Sequence, residues 1–230
     1  MFFFYDPTYI FMLPALAFAL WAQWKVQSTY RKWSEVRASA GVRGRDMARS
    51  IMVQNGITDV AVEEVAGTLS DHYDPRDKTV RLSSANYNGD SIASIAVAAH
   101  EVGHVLQHAQ GYAPLGVRTA VAPVAGFGSV LAFPLFLIGF IFHGGMSHFL
   151  MDLGIWFFSA AVLFQVVTLP VEFDASKRAL AQLNSSGSIS PQEVDGARQV
   201  LNAAALTYVA AAAMAALQLI RLVILRDSRR

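Results

Sequence analysis

The sequence predicts a mainly α-helical membrane protein with about four transmembrane helices and one small α+β module on the cytoplasmic side. The 230 residues are 54% hydrophobic and 15% charged, whereas soluble domains carry about 25% charged residues. The charges lie in blocks, and four of the gaps between blocks approach the ~20 residues that a helix needs to cross a hydrocarbon core. The longest charged block contains the turn and strand signals of a folded module.

The composition also excludes several classes of protein. The chain has no cysteine, so disulfides, thiol chemistry and thiolate-ligated metals are excluded. Its high apolar content excludes an intrinsically disordered chain. Eighteen Lys and Arg against seventeen Asp and Glu leave a net charge of +1, too balanced to predict a nucleic-acid partner. Membrane lipids are therefore the first expected partner.

The apolar stretches define the membrane segments. Residues 1–24 are predicted to form an N-terminal transmembrane anchor, with Trp21 and Trp24 at its interfacial rim. No small-residue cleavage site follows, so a retained anchor is favoured over a signal peptide. Residues 119–171 are predicted to form a transmembrane hairpin, and 203–230 a C-terminal transmembrane helix with a basic tail.

The distribution of Lys and Arg predicts the orientation. Eleven lie between spans one and two, three between spans three and four, and four at the C-terminal end. The positive-inside rule then places residues 25–118 and 172–202 on the cytoplasmic side of the membrane. The basic tail runs against this assignment. A re-entrant fourth segment or lipid headgroups bound by the tail would explain it.

The cytoplasmic residues 25–118 are predicted to form the folded module. The local signals, in chain order, are an amphipathic helix at 44–54, a strand near 60–62, a turn at 73–76, a strand at 79–83 and a helix that begins at Asp90 or Ser91. A capping box at Ser190, with proline next in the chain, predicts that a further helix runs into the fourth span.

The last helix of the module contains HEVGH at 100–104, an HExxH motif. His100 and His104 lie one turn apart on one helix face, close enough to share Zn²⁺, and Glu101 can reach a water on the metal. An apolar stripe on the opposite face comprises Ile95, Ala99, Val102, Leu106 and Ala109. Core histidines would lie within that stripe, so we predict that these two bind metal.

A catalytic zinc site needs three protein ligands and one open position for water. We predict Glu172 as the third ligand, because it directly follows the third span on the same side as the HExxH helix. Pro170 is expected to restart the helix there. Asp174 is the second-choice ligand or a group that supports the ligands.

The predicted chemistry is peptide hydrolysis on a protein or peptide substrate. Zn²⁺ held by His100, His104 and Glu172 would lower the pKa of its bound water, while Glu101 takes the proton and passes it to the leaving amine. The strand at 79–83 is expected to bind an extended substrate by strand addition.

Six matching runs resemble the YugP-type neutral zinc metallopeptidases of bacterial membranes. They are GRDMARSIM at 44–52, LSDHYDP at 69–75, VRLS at 80–83, AAHEVGHVLQHAQG at 98–111, YAPL at 112–115 and PVEFDAS at 170–176. The resemblance implies a zinc peptidase anchored in the bacterial inner membrane, with a zincin-like module. The family has its third ligand on a glutamate after the HExxH motif, and this supports Glu172 as the third ligand here.

The sequence is also similar to the gluzincin pattern of the membrane protease HtpX, in which an aspartate lies four residues after that glutamate. Ser176 occupies this place here, so the pattern does not identify the acidic residue that orients the histidines. Asp71 and Asp74 are the candidates to replace that aspartate. Candidates for supporting the ligands or stabilising the transition state are His72, Tyr73, Asp71, Asp174, His108 and Arg178.

Two other functions are weighed against the peptidase. A catalytically silent, zinc-containing membrane scaffold or adaptor would have no need of the general base Glu101. An intramembrane protease of the site-2 type would take its third ligand from Asp152, which the charge distribution places outside. The alanines at 210–213 would admit a homo-oligomer or a membrane-protein partner, or pack within the chain.

Overall fold

The computed structural model describes residues 7–39, 41–142 and 144–229. The first six residues of the predicted anchor and Arg230 of the predicted tail lie outside this part. After a short 3-10 helix at Pro7–Met12, the helices are α1 (Leu13–Ser34), α2 (Gly44–Gln54), α3 (Ser84–Asn88), α4 (Ile92–Ala109), α5 (Ala113–Ile141), α6 (Ser147–Ser185) and α7 (Pro191–Asp227). The strands are β1 (Ala61–Val65), β2 (His72–Asp74) and β3 (Thr79–Ser83).

Four helical segments are long and apolar enough to cross a membrane. They are Pro7–Ser34, Ala113–Ile141, Ser147–Ser185 and Pro191–Asp227. Their number and order confirm the prediction of a mainly helical membrane protein with four spans and a small sheet. The chain divides into a membrane unit (residues 7–23, 113–170 and 207–229) and a polar unit (24–112 and 171–206).

The membrane unit is held together by close helix packing and by ion pairs at one end. A Cβ atom added to Gly154 of α6 would lie 2.7 Å from the carbonyl oxygen of Ala132 in α5, so these backbones touch. Arg226 near the end of α7 donates to Asp152 near the start of α6, with an Nε–Oδ1 distance of 2.8 Å. The guanidinium of Arg221 stacks on Tyr9, 3.8 Å from the ring centre.

These contacts place the end of α7, the start of α6 and the N-terminal residues at one end of the membrane unit. Four complete spans require that arrangement. The helix α7 is continuous over 37 residues, which favours a full-length fourth span over the re-entrant segment considered above. The charge of Arg226 is balanced by Asp152.

The sheet of the polar unit has the order β1-β3-β2, with β1 parallel and β2 antiparallel to β3. Two expectations from the sequence were wrong here. Tyr73 and Asp74 lie in β2, and the turn follows at 75–78. The strand β3 is central and is paired on both sides, so it cannot accept an added strand; the edges of the sheet are β1 and β2.

The core of the polar unit lies between the sheet and the helices α2 and α4. Its largest fully buried side chains include Met47 and Ile51 from α2, Leu82 from β3 and Ile95 from α4. The parts of α6 and α7 in this unit add Leu183, Val194 and Val200 to the same core. This packing brings α6 against the helix that contains the HExxH motif.

The helix α6 continues through Pro170, which does not restart it as expected. The capping box before α7 is confirmed. Ser190 N donates to Glu193 Oε2 over 2.6 Å, and Glu193 N donates to Ser190 Oγ over 3.3 Å. Because α7 then runs without a break to Asp227, the predicted continuation into the fourth span is also confirmed.

Candidate metal centre

The helix α4 presents the HExxH motif from a well-anchored position. Ser91 caps the helix, because its hydroxyl accepts from Ser94 N over 3.1 Å. The apolar stripe is buried at Ile95, Ala99, Val102 and Leu106, whereas Ala109, its fifth predicted member, is exposed. Burial extends around most of α4 and includes Ala98, Val105 and His104, so the histidine side of the helix is covered as well as the stripe.

Glu172 of α6 meets both histidines. Its Oε2 atom lies 3.2 Å from His100 Nε2 and 3.6 Å from His104 Nε2. One ligand atom from each residue lies within 4.8 Å of those of the other two. His104 is 9% exposed and Glu172 is 3% exposed, so the carboxylate and the imidazoles face one another with little water between them.

This donor set suits zinc. Two imidazole nitrogens and one carboxylate oxygen are the ligands of many catalytic zinc sites, which keep the fourth position open. A buried carboxylate beside two histidines, without a compensating cation, would be costly. A metal ion held among the three groups would remove that cost, because it replaces the two contacts between ligands by bonds to a dication.

A glycine within the motif allows Glu172 to come this close. A Cβ atom at Gly103 would lie 2.4 Å from the carbonyl oxygen of Ala175 in α6. One turn further along α4, Gln107 Nε2 donates to the carbonyl oxygen of Val171 over 2.7 Å. Because the partner positions on α6 fall as those on α4 rise, the two helices run antiparallel at this contact.

The other ring nitrogen of each histidine has a neutral partner. His100 Nδ1 lies 3.1 Å from Ser176 Oγ, and His104 Nδ1 lies 3.0 Å from Gln107 Oε1. Ser176, which occupies the place of the gluzincin aspartate in the sequence pattern, therefore contacts one of the predicted metal ligands. Sequence reasoning missed Gln107, although its position three residues after His104 on a helix was a usable signal.

Asp71 and Asp74, the two candidates to replace the gluzincin aspartate, form hydrogen bonds with residues other than the two histidines. Asp71 accepts from Ser83 N over 2.8 Å and from Asn86 Nδ2 over 2.9 Å. Asp74 accepts from Arg76 at the turn between β2 and β3. The guanidinium of Arg76 holds the pKa of Asp74 well below its usual range. Both carboxylates stabilise the sheet and its flanks, which gives them a structural role.

The glutamate of the motif is in an environment that suits a base. Glu101 is 7% exposed. Burial raises the pKa of its carboxyl group, and the neighbouring histidines oppose this rise. A raised pKa strengthens a carboxylate as a proton acceptor near neutral pH.

The remaining candidates form three groups: Tyr73 with His108, Asp174 with Arg178, and His72 by itself. Tyr73 on β2 and His108 on α4 share a hydrogen bond of 2.8 Å between the hydroxyl and Nδ1, and burial raises the pKa of Tyr73. Asp174 accepts from Gln107 Nε2 over 2.9 Å and from Arg178 Nε. Asp174 thus contacts Gln107, the residue that contacts His104. His72 lies on β2 with its Nδ1 atom 2.7 Å from Ser70 O.

Comparison with known proteins identifies the family of the chain. A family model described as "Putative neutral zinc metallopeptidase" matches residues 8–227. The curated protein "Putative membrane protease YugP" of Bacillus subtilis (strain 168) is 49% identical over 218 residues, which are 94% of this chain and 96% of that protein. No solved structure shows a significant match. The chain therefore belongs to the neutral zinc metallopeptidase family, as the resemblance of its motifs implied.

Proposed function

We propose that this protein is a membrane-anchored zinc endopeptidase that hydrolyses peptide bonds of protein substrates at the cytoplasmic face of the membrane. The observation that carries the proposal is the meeting of His100, His104 and Glu172, with one ligand atom from each within 4.8 Å of the others. The buried Glu101 next to them supplies the base that a purely structural site would not need.

Each residue then has a chemical role. His100, His104 and Glu172 would hold the zinc ion, which supplies Lewis acidity to activate water and polarise the scissile carbonyl group. Glu101 accepts a proton from the attacking water while the water oxygen bonds to the carbonyl carbon. When the carbon–nitrogen bond breaks, Glu101 returns that proton to the leaving amine.

An extended substrate is best accommodated along β2. This strand pairs with β3 on one side, and its other side carries no strand of the described chain. Tyr73 on β2 is hydrogen-bonded to His108, one turn beyond His104 on α4. A peptide added at this edge would therefore lie beside the helix that contains the motif, with its backbone groups satisfied by β2.

Two features support action at the membrane surface. Along α6, Glu172 directly follows the apolar residues 153–171, so the third ligand is within one helical turn of a membrane-crossing stretch. The Lys and Arg count, eleven and three in the two polar segments against four at the C-terminal end, favours the cytoplasmic side. Membrane proteins with unfolded segments near the cytoplasmic surface are the substrate class that fits this position.

The test is Glu101→Gln in the full-length protein purified in detergent. Zinc content would be measured by elemental analysis, and cleavage of an unfolded protein such as casein by the release of labelled fragments. We expect one zinc per chain in both proteins and a loss of about 10²- to 10⁴-fold in cleavage rate in the variant. Glu64→Gln, which changes an exposed glutamate on β1, is the matched control.

Two results would contradict the proposal. Cleavage that survives in Glu101→Gln would exclude Glu101 as the base. A wild-type protein that binds zinc but cleaves nothing, with the variant indistinguishable from it, would favour the scaffold or adaptor. Wild-type protein that binds no zinc would remove the basis of both functions.

A further inference from the structure

Gln107 is a fully buried amide with a complete set of polar contacts. It is 0% exposed, and its side chain reaches across from α4 to α6. The Oε1 atom lies 3.0 Å from His104 Nδ1. The Nε2 atom lies 2.7 Å from the carbonyl oxygen of Val171 and 2.9 Å from Asp174 Oδ2. A buried amide with this many partners can hold only one orientation.

The orientation of the amide follows from its partners on α6. A backbone carbonyl and an ionised carboxylate only accept hydrogen bonds, so the atom facing Val171 and Asp174 must be the NH₂ group. The oxygen of Gln107 then has to face His104. Arg178 donates to Asp174 and to Gln110, which holds the Asp174 carboxylate in place.

This orientation determines the tautomer of His104. An amide oxygen cannot donate, so the Nδ1 atom of His104 must carry the proton and donate it to Gln107. The lone pair of the neutral ring is then on Nε2, the atom that lies 3.6 Å from Glu172 Oε2. A zinc ligand needs that free lone pair in that direction.

We propose that Gln107 is a positioning residue that holds His104 in the Nδ1–H tautomer with Nε2 directed at the metal, and that Asp174 and Arg178 hold the Gln107 amide in turn. The inference rests on the zinc site of the proposed function and adds to it the device that prepares one ligand before the metal binds.

A neutral amide fits this place better than a carboxylate would. Glu101 and Glu172 already put two carboxyl groups into the buried site. A third charge in direct contact with His104 would add repulsion at low dielectric. The amide passes on the polarisation of Asp174 but leaves its charge further away, where Arg178 balances it. Ser176, the partner of His100, is also neutral.

The test is Gln107→Met, which keeps the approximate length and volume of the side chain but has no donor and only a weakly accepting sulfur. Zinc affinity would be measured by competition with a chromophoric chelator on full-length, detergent-solubilised protein. We expect the zinc Kd to rise by about 10- to 100-fold, the usual cost of losing an outer partner of a ligand histidine. Substitution by Co²⁺ should show altered d–d absorption bands. Gln54→Met, at an exposed glutamine of α2, should leave both unchanged.

A second readout uses metal-free protein labelled with ¹⁵N in its histidines, at alkaline pH where the rings are neutral. His104, assigned by comparison with His104→Ala, should be Nδ1-protonated in the wild type and a mixture of tautomers in Gln107→Met. Asp174→Asn, which retains an acceptor oxygen, should raise the zinc Kd by less than about tenfold. The Asp174→Asn variant still tests the role of Gln107 if Gln107→Met fails to fold.

The outcomes separate this inference from the function on which it rests. A wild-type protein without zinc affinity refutes the zinc site itself. Wild-type zinc binding with an unchanged Kd in both Gln107→Met and Asp174→Asn refutes only the role of Gln107. A lowered melting temperature with unchanged Kd, cobalt spectrum and tautomer would show that Gln107 merely stabilises the contact between α4 and α6.

Discussion

The substitution Gly103→Ala tests the close contact between α4 and α6 on which the metal site depends. Gly103 lies in the middle of the motif and faces the backbone of α6. The added methyl carbon would lie 2.4 Å from the oxygen, 3.0 Å from the carbonyl carbon and 3.1 Å from the Cα atom of Ala175. These are backbone atoms of a continuous helix, so no side-chain rotation can relieve the overlap.

The size of the effect follows from these distances. A carbon–oxygen contact is normally no closer than about 3.3 Å, so α6 must retreat by roughly 0.9 Å. Zinc–ligand distances vary by only about 0.2 Å, and Glu172 lies less than one turn from Ala175. Zinc binding would draw Glu172 back towards α4 and bring back the overlap, which costs ~1–3 kcal/mol as overpacking does. The zinc Kd should therefore rise roughly 5- to 140-fold.

The assay is zinc competition with a chelator, together with thermal unfolding of the metal-free protein. Gly116→Ala is the matched control, because a Cβ atom at this helical glycine of α5 meets nothing within 4 Å. It should keep the wild-type Kd. Metal-free Gly103→Ala should remain folded, since the strain is relieved when the helices separate. A folded Gly103→Ala protein with wild-type zinc affinity would refute the close contact as the cause of ligand convergence.

Variants at three further positions test individual contacts. Ser176→Ala removes the hydroxyl that lies 3.1 Å from His100 Nδ1 and should weaken zinc binding by about tenfold in the chelator assay. Ser176→Thr, which keeps a neutral hydroxyl, should retain more of the affinity, and a Ser176→Ala protein with wild-type affinity would contradict the role of Ser176. Tyr73→Phe breaks the bond to His108 and should lower kcat/KM by about 2- to 10-fold at constant zinc Kd, so that a changed zinc Kd would place Tyr73 with the ligands. Asp74 has a lowered pKa in the folded state, so its contribution to stability is present above the ordinary aspartate pKa and is lost as the pH falls below it. Asp74→Asn should therefore flatten the fall in melting temperature at acid pH. An unchanged acid profile would exclude the Asp74–Arg76 ion pair as a source of stability.

Part of the site could be predicted from the sequence because it depends on local geometry. The spacing of His100 and His104 places both on one face of a helix whatever the rest of the chain does. The position of Glu172 after an apolar run was enough to select it as a candidate, since the charge distribution put it on the same side. Asp174 was predicted either as a second-choice ligand or as a group that supports the ligands, and the structure shows it in contact with Gln107.

The tertiary structure decided what no spacing could. Gln107 and Ser176 each hold a histidine, and neither type is distinctive of metal sites in a sequence. The strand β2 was interpreted as a turn, because three residues beside a proline carry little strand signal. For the same reason the sheet order was unknown, and the central β3 was taken for a free edge.

The sequence by itself determined the four membrane-crossing stretches, the helix with its two histidines and the family to which the chain belongs. Hydrophobic length, helical periodicity and a short motif each depend on neighbours along the chain. Only the tertiary structure decided how closely Glu172 approaches the histidines, which neutral groups contact them and which strands form the edges of the sheet. The contacts between α4 and α6 join residues 64 to 76 positions apart, and their geometry is set by the packing of α4 against α6 around Gly103.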